Sequence, residues 1–167
     1  MEEEFESEIV DEEFEKEKTI TKINEEHYIK NGEDEIKWNF LNTDDLKTAY
    51  WIGLYYNLVD NLQNYYLKTR GLQKQLRGLF ERLDRENLLK IFHYCNDVMF
   101  KIQSARRTKG LSFKKIRNMI EINMKNDNWT RKKEEISIAF MYGYDSSFRT
   151  YEKNKHLLIK NKENNQK

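Results

Sequence analysis

The chain has no proline, one cysteine and six scattered glycines among its 167 residues. Typical usage of about 5% would give roughly eight prolines, so helices here are free of their strongest breaker. The single cysteine, Cys95, excludes an internal disulfide, which favours a reducing compartment and predicts a cytoplasmic location. No run approaches 18 uncharged apolar residues and the acidic N-terminus has no secretory signal, so we expect no membrane association.

Side chains that commonly carry catalysis or bind metals are also few and dispersed. His27, His93 and His156 are far apart, and none has a neighbour at metal-ligand spacing. His93 and Cys95 are two residues apart, which places them on different faces of a helix. No glycine-rich phosphate-binding loop is present. The sequence therefore predicts a protein that is not an enzyme and that has no cofactor and no metal site.

What the chain does have is charge sorted along its length, hidden by a net charge of +1. Residues 1–35 contain 15 acidic and 4 basic side chains, whereas residues 99–167 contain 7 acidic and 17 basic ones. An acidic head followed by a basic tail indicates polyanion binding, an acidic decoy, or both.

The hydrophobic pattern predicts an all-α fold, a compact bundle of five or six helices. The densely acidic residues 1–18 are expected to form a disordered tail, although Phe5, Ile9, Val10 and Phe14 have roughly helical spacing. Residues 19–41 are an extended segment or a hairpin, because Asn31-Gly32 is a turn signal that allows a small β-hairpin near residues 27–40. Residues 42–160 form the helical domain, with a basic C-terminal half, and residues 161–167 are expected to fray.

Within that domain the strongest helical signal covers residues 43–69, where apolar residues recur every four positions from Leu46 to Tyr66. Thr43 is its predicted cap. Gly71 is predicted to end this helix, and Gly110 to end the third helix. Ser112 and Thr130 are predicted to cap the fourth and fifth helices, and Gly143 to separate the fifth from a sixth.

The spacing of Ala139 and Gly143 is typical of a helix-turn-helix unit, which places a small residue in its first helix and a glycine at the turn four residues later. The sixth helix would then enter a DNA groove. It would offer Ser146, Ser147, Arg149, Thr150 and Lys153. The pattern has one departure, because Arg149 occupies a position where an apolar residue is expected, and an ordinary helical hairpin with a glycine stop is the alternative.

Basic clusters at predicted turns suggest contacts to a phosphate backbone, together with free N–H groups at helix starts. A solvated charged face is the alternative. The clusters are Arg106, Arg107 and Lys109; Lys114, Lys115 and Arg117; and Arg131, Lys132 and Lys133. On the first long helix, Trp51, Tyr55 and Tyr65 lie partly off the apolar stripe, and they are candidates for a partner interface or for ordinary packing.

Two functional hypotheses follow. The first is a small regulatory protein that binds DNA, or RNA, through its basic helical half, with the acidic head as an intramolecular brake. The second is an interaction protein whose acidic segment mimics nucleic acid and binds a basic channel on a nucleic-acid-handling protein. Small charged proteins of phages and mobile elements, anti-CRISPR proteins among them, are similar in composition but share no motif with it. An oligomer that assembles through the aromatic surface also stays open.

Overall fold

The computed structural model describes residues 25–38, 41–67, 71–106, 113–125, 129–130 and 132–165. These ranges contain six helices and no strand, which confirms the all-α prediction. The helices are α1 (Glu25–Trp38), α2 (Asp44–Tyr66), α3 (Gly71–Phe80), α4 (Arg85–Arg106), α5 (Lys114–Met124) and α6 (Lys133–Asn165). The predicted tail at residues 1–18 lies outside the described residues. Residues 161–165, expected to fray, belong to α6.

Helix α2 is the centre of the bundle. Of its 23 residues, 18 are buried, so the helix is covered on all sides rather than on one apolar stripe. Helices α4, α5 and α6 pack against it, and α1 lies across α5 and α6. The four-residue spacing that predicted this helix therefore identified only one of its buried faces.

The start of α2 agrees with the predicted position but differs in its capping. Thr43 has extended backbone angles (φ −117°, ψ 157°), as a cap residue should, yet its side chain caps no backbone N–H group. Its hydroxyl instead donates to the Asp45 carboxylate, which accepts a hydrogen bond from the Leu46 N–H at 2.8 Å. Asp44 and Asp45 place negative charge at the positive end of the helix dipole.

The helix-turn-helix prediction is wrong, because α6 continues through Gly143 without a turn. Among the described residues no glycine has a positive φ. Gly143 instead lies against α2, where an added Cβ would be 1.8 Å from the Tyr50 carbonyl oxygen. Gly53 makes the reciprocal contact, since its Cβ would be 2.0 Å from the Phe140 carbonyl oxygen. The two antiparallel helices thus meet backbone to backbone, which explains the glycine without a turn.

The hairpin near residues 27–40 is not confirmed, because residues 25–38 form helix α1. Gly32, expected in a turn, is a buried helical residue. A Cβ there would lie 2.7 Å from the Trp51 ring, so the missing side chain lets α1 approach α2. Tyr28 is also buried in the core. Residues 25–35 of the acidic head are consequently part of the folded bundle.

Candidate nucleic-acid interface

The start of α5 carries positive charge where the helix dipole is already positive. Lys114 and Lys115 are its first two residues, and its first turn has no acidic residue. This arrangement is unfavourable in an isolated helix and calls for an anion from elsewhere. The preceding residue, Phe113, is buried and has a φ of 44°, an uncommon conformation for a residue with a side chain.

Helix α1 supplies that anion. Glu25 Oε1 accepts a hydrogen bond from the Ile116 N–H at 2.8 Å, and Glu26 forms an ion pair with Lys115. The bond to Lys115 lowers the pKa of Glu26, and the same bond raises the pKa of Lys115. Two carboxylates therefore occupy the helix start that the sequence analysis assigned to phosphate.

A second contact between the acidic and basic parts lies on α6. Glu35 accepts a hydrogen bond from Arg149 Nη2 at 2.6 Å and another from the Tyr50 hydroxyl at 2.9 Å. Beside it, Asn31 Nδ2 donates to Thr150 Oγ1 at 3.2 Å. Acidic residues of α1 thus pair with two of the predicted DNA-binding residues, Lys115 and Arg149.

The other basic residues of the predicted site are distributed unevenly. Exposed cations stand at the starts of α5 and α6 and on the outer side of α6: Lys114, Lys132, Lys133 and Lys153. Arg117 is half-buried. Arg106 is the last residue of α4, whereas Arg107, Lys109 and Arg131 lie outside the described residues. Helix α1 thus contacts the basic residues at the start of α5, whereas Lys132, Lys133 and Lys153 remain exposed to solvent.

Burial corrects the expectation for five polar and aromatic candidates. Ser146 and Ser147 are 1% and 0% exposed, and Thr150 is also buried, because these residues follow Gly143 along the α2-facing side of α6. They have no surface to offer a DNA groove. Trp51 and Tyr55 are buried in the same way, and the Tyr55 hydroxyl donates to Asn96 Oδ1 at 2.8 Å. Neither therefore presents a partner surface.

Tyr65 keeps some exposure. It is half-buried, and its ring meets the Tyr66 ring edge to face with centroids 4.8 Å apart. Of the three predicted interface aromatics it is the one with surface left. The expectation of an aromatic surface on α2 is otherwise replaced by an aromatic core.

Exposed apolar residues lie outside the aromatic interface that the sequence predicts. Four are on α6: Ile138, Met141, Tyr142 and Phe148. Since α6 also buries Ile136, Ala139 and Phe140, its apolar residues exceed what one face of a helix holds. That excess was visible in the sequence, but the assumed break at Gly143 divided the helix and hid it.

A buried carboxyl group leads to the first stability prediction. Asp60 of α2 is buried, and burial raises the pKa of Asp60 above its ordinary value. The folded state therefore binds this proton more tightly than the unfolded state. Stability is lost as pH rises from the ordinary pKa through the raised pKa, and the loss persists at neutral pH.

Asp60→Asn is consequently expected to raise the free energy of unfolding at neutral pH. Its advantage over the natural protein should grow as pH rises from about 4 to 7, because only the natural protein must ionise a buried group. Urea unfolding of both proteins across this range checks the result. An advantage that shrinks with rising pH would show that ionised Asp60 is stabilised in the folded state.

Comparison with known proteins gives no independent assignment. The chain matches no protein-family model, and searches of curated proteins and of solved structures find no match. Within the described ranges, no group of three or more His, Cys, Asp or Glu side chains is placed to hold a metal ion. None of the described helices has the length and apolarity to cross a membrane. Function must therefore be argued from the contacts above.

Proposed function

We propose that this protein is a nucleic-acid-binding regulator whose basic helical half contacts phosphates and whose acidic α1 holds that surface in a closed state. The observation that carries the proposal is the contact of Glu25 and Glu26 with Ile116 N and Lys115. A helix start with two lysines and free N–H groups is suited to a phosphate. The carboxylates of Glu25 and Glu26 at this helix start can take the place of a phosphate.

Recognition in this proposal is of the backbone rather than of base edges. With α6 continuous and its serines buried, α6 cannot act as the recognition helix of a helix-turn-helix unit. Helix α5 has 11 residues and is therefore about 16 Å long, and cations lie at its start and at the start of the following helix, α6. Phosphate contacts at both places give affinity that depends on salt and little on sequence.

The acidic brake is tested by neutralising it without removing its hydrogen bonds. Glu25→Gln with Glu26→Gln keeps one acceptor oxygen on each side chain and raises the net charge from +1 to +3. We expect this variant to bind a random duplex roughly three- to tenfold more tightly at low salt, since two competing charges are gone. Fluorescence anisotropy across a salt series measures the change.

The matched control is Glu33→Gln with Asp34→Asn. Both residues are exposed on α1, and the change in net charge is the same. If the control tightens binding equally, the effect is one of net charge and the brake is refuted. If no variant binds duplex at low salt, the nucleic-acid function itself is refuted, and an acidic mimic acting on a partner protein becomes the better hypothesis.

Deletion experiments should keep α1. Residues 1–35 include Tyr28 and Gly32, which belong to the core, so removing them all would damage the fold. A deletion of residues 1–24 removes ten acidic residues. It leaves every described helix complete, because the first of them begins at Glu25.

A further inference from the structure

A groove between α3 and α6 has no role in the proposed function. It has a volume of about 480 Å³ and is mostly apolar. We call it the α3–α6 groove. It is lined by Tyr56, Arg77, Phe80, Leu83, Ser137, Phe140, Met141 and Tyr144. Its wall is built from packed rings, with the Tyr56 and Phe80 centroids 5.3 Å apart and the Phe80 and Phe140 centroids 5.7 Å apart.

The apolar surface continues beyond the groove onto the outside of α6. Met141 lines the groove and is 50% exposed, and Ile138 and Tyr142 beside it are 46% and 38% exposed. Because the groove opens onto this exposed helix face, the apolar surface extends beyond the groove itself. It fits an amphipathic peptide segment, which places several apolar side chains at helical spacing.

Two exposed cations lie at the edge of this groove, where exposed Glu81 and Glu134 are also found. Arg77 belongs to the lining and is exposed. Lys133 is also exposed and precedes Ser137 by four residues on α6, so it lies one turn further along the same side of the helix. An occupant with carboxylates beside its apolar residues can pair with Arg77 and Lys133.

We propose that the α3–α6 groove binds residues 1–18 of its own chain. This segment has Phe5, Ile9, Val10 and Phe14 at helical spacing, and it contains ten acidic and two basic residues. It thus supplies the apolar and the acidic groups that the groove and its edge accept. Docking would also place glutamates near Lys132 and Lys133, the part of the basic surface that α1 leaves open.

The segment can reach the groove from where α1 begins. Asn31 contacts Thr150, and six residues of helix from Asn31 to Glu25 cover about 9 Å. Ten residues of α6 from Thr150 to Phe140 cover about 15 Å, to which one helix spacing of about 9 Å is added. The direct distance from Glu25 to Phe140 cannot exceed the sum of these steps. Residues 15–24, when extended, span up to roughly 33 Å.

Two native serines allow a cross-linking test in the full chain. Ser7 lies in the acidic segment and Ser137 lines the groove, so Ser7→Cys with Ser137→Cys reports docking through an intramolecular disulfide. Cys95 can stay, because its thiol is fully buried. The measured quantity is the effective concentration of the pair in a glutathione redox buffer, with products identified by mass spectrometry.

The matched control is Ser7→Cys with Ser104→Cys. Ser104 is exposed near the far end of α4, about 30 Å along that helix from its start beside Leu83. It lies only ten residues before Lys114, close along the chain to the α5 start that Glu25 contacts. A tethered segment that does not dock would therefore meet Ser104 at least as often as Ser137.

We expect the effective concentration of the Ser7–Ser137 cysteine pair to be about tenfold higher than that of the Ser7–Ser104 pair. Adding Phe5→Ser and Phe14→Ser should abolish this difference. Equal values for both pairs, or an excess that survives loss of the phenylalanines, would overturn the proposal. Disulfide-linked dimers as the main product would overturn it in favour of exchange between two copies. The test contains no nucleic acid, so its outcome is independent of whether the protein binds DNA.

Discussion

Replacing Gly143 by alanine is expected to destabilise the protein by roughly 3 kcal/mol, the upper end of ordinary overpacking. The added Cβ would lie 1.8 Å from the Tyr50 carbonyl oxygen, and a backbone atom cannot rotate away as a side chain can. Helices α2 and α6 would have to separate along their contact. Gly53→Ala should act in the same way through the Phe140 carbonyl.

The control for this substitution is Gly78→Ala. Gly78 is exposed in α3, and a Cβ there would meet nothing within 4 Å. With no steric cost, alanine should stabilise the helix by about 0.5–1 kcal/mol. Urea unfolding followed by circular dichroism compares the three variants. The double variant Gly53→Ala with Gly143→Ala should cost less than the sum, because one separation of the helices relieves both contacts.

The variant Gly143→Asn distinguishes two explanations for Gly143, close packing against α2 and a left-handed turn. If Gly143 had a left-handed turn conformation, asparagine would be tolerated better than alanine. In a packed continuous helix the larger asparagine must be worse. A more stable asparagine variant would therefore refute the continuous α6 and restore the turn that the sequence suggested.

These glycines show how far sequence alone can predict the fold. The α2 stripe was identified correctly because helical periodicity is a local property. Gly32 and Gly143 were interpreted as turns because glycine is needed both at turns and where two backbones approach. The difference depends on what lies opposite, here Trp51 and the Tyr50 carbonyl, and those are distant in sequence.

The candidate site was also predictable from the sequence only in part. Charge sorting suggested that an acidic head and a basic half are related, but it gave no pairing. The pairs that form, Glu26 with Lys115 and Glu35 with Arg149, are separated by 89 and 114 residues. The α3–α6 groove depends on three helices and could not be deduced from any one of them. The buried serines were misassigned because the break at Gly143 placed them on a separate helix.

The last prediction concerns the lysines proposed to contact phosphate. Lys114→Gln, Lys132→Gln and Lys133→Gln together should weaken binding to a random duplex by about ten- to a hundredfold near 100 mM salt. They should also reduce the slope of log affinity against log salt by about 2.7, because each phosphate contact contributes about 0.9. All three residues are exposed, so the fold should tolerate the change.

A matched variant removes the same charge from elsewhere. Lys30→Gln, Lys37→Gln and Lys90→Gln also lower the net charge from +1 to −2, at exposed positions on α1 and α4. Long-range attraction falls equally in both triple variants, whereas phosphate contacts are lost only in the first. The salt slope therefore decides between them. An equal slope in both would mean that affinity follows net charge, and that the starts of α5 and α6 are not the binding surface.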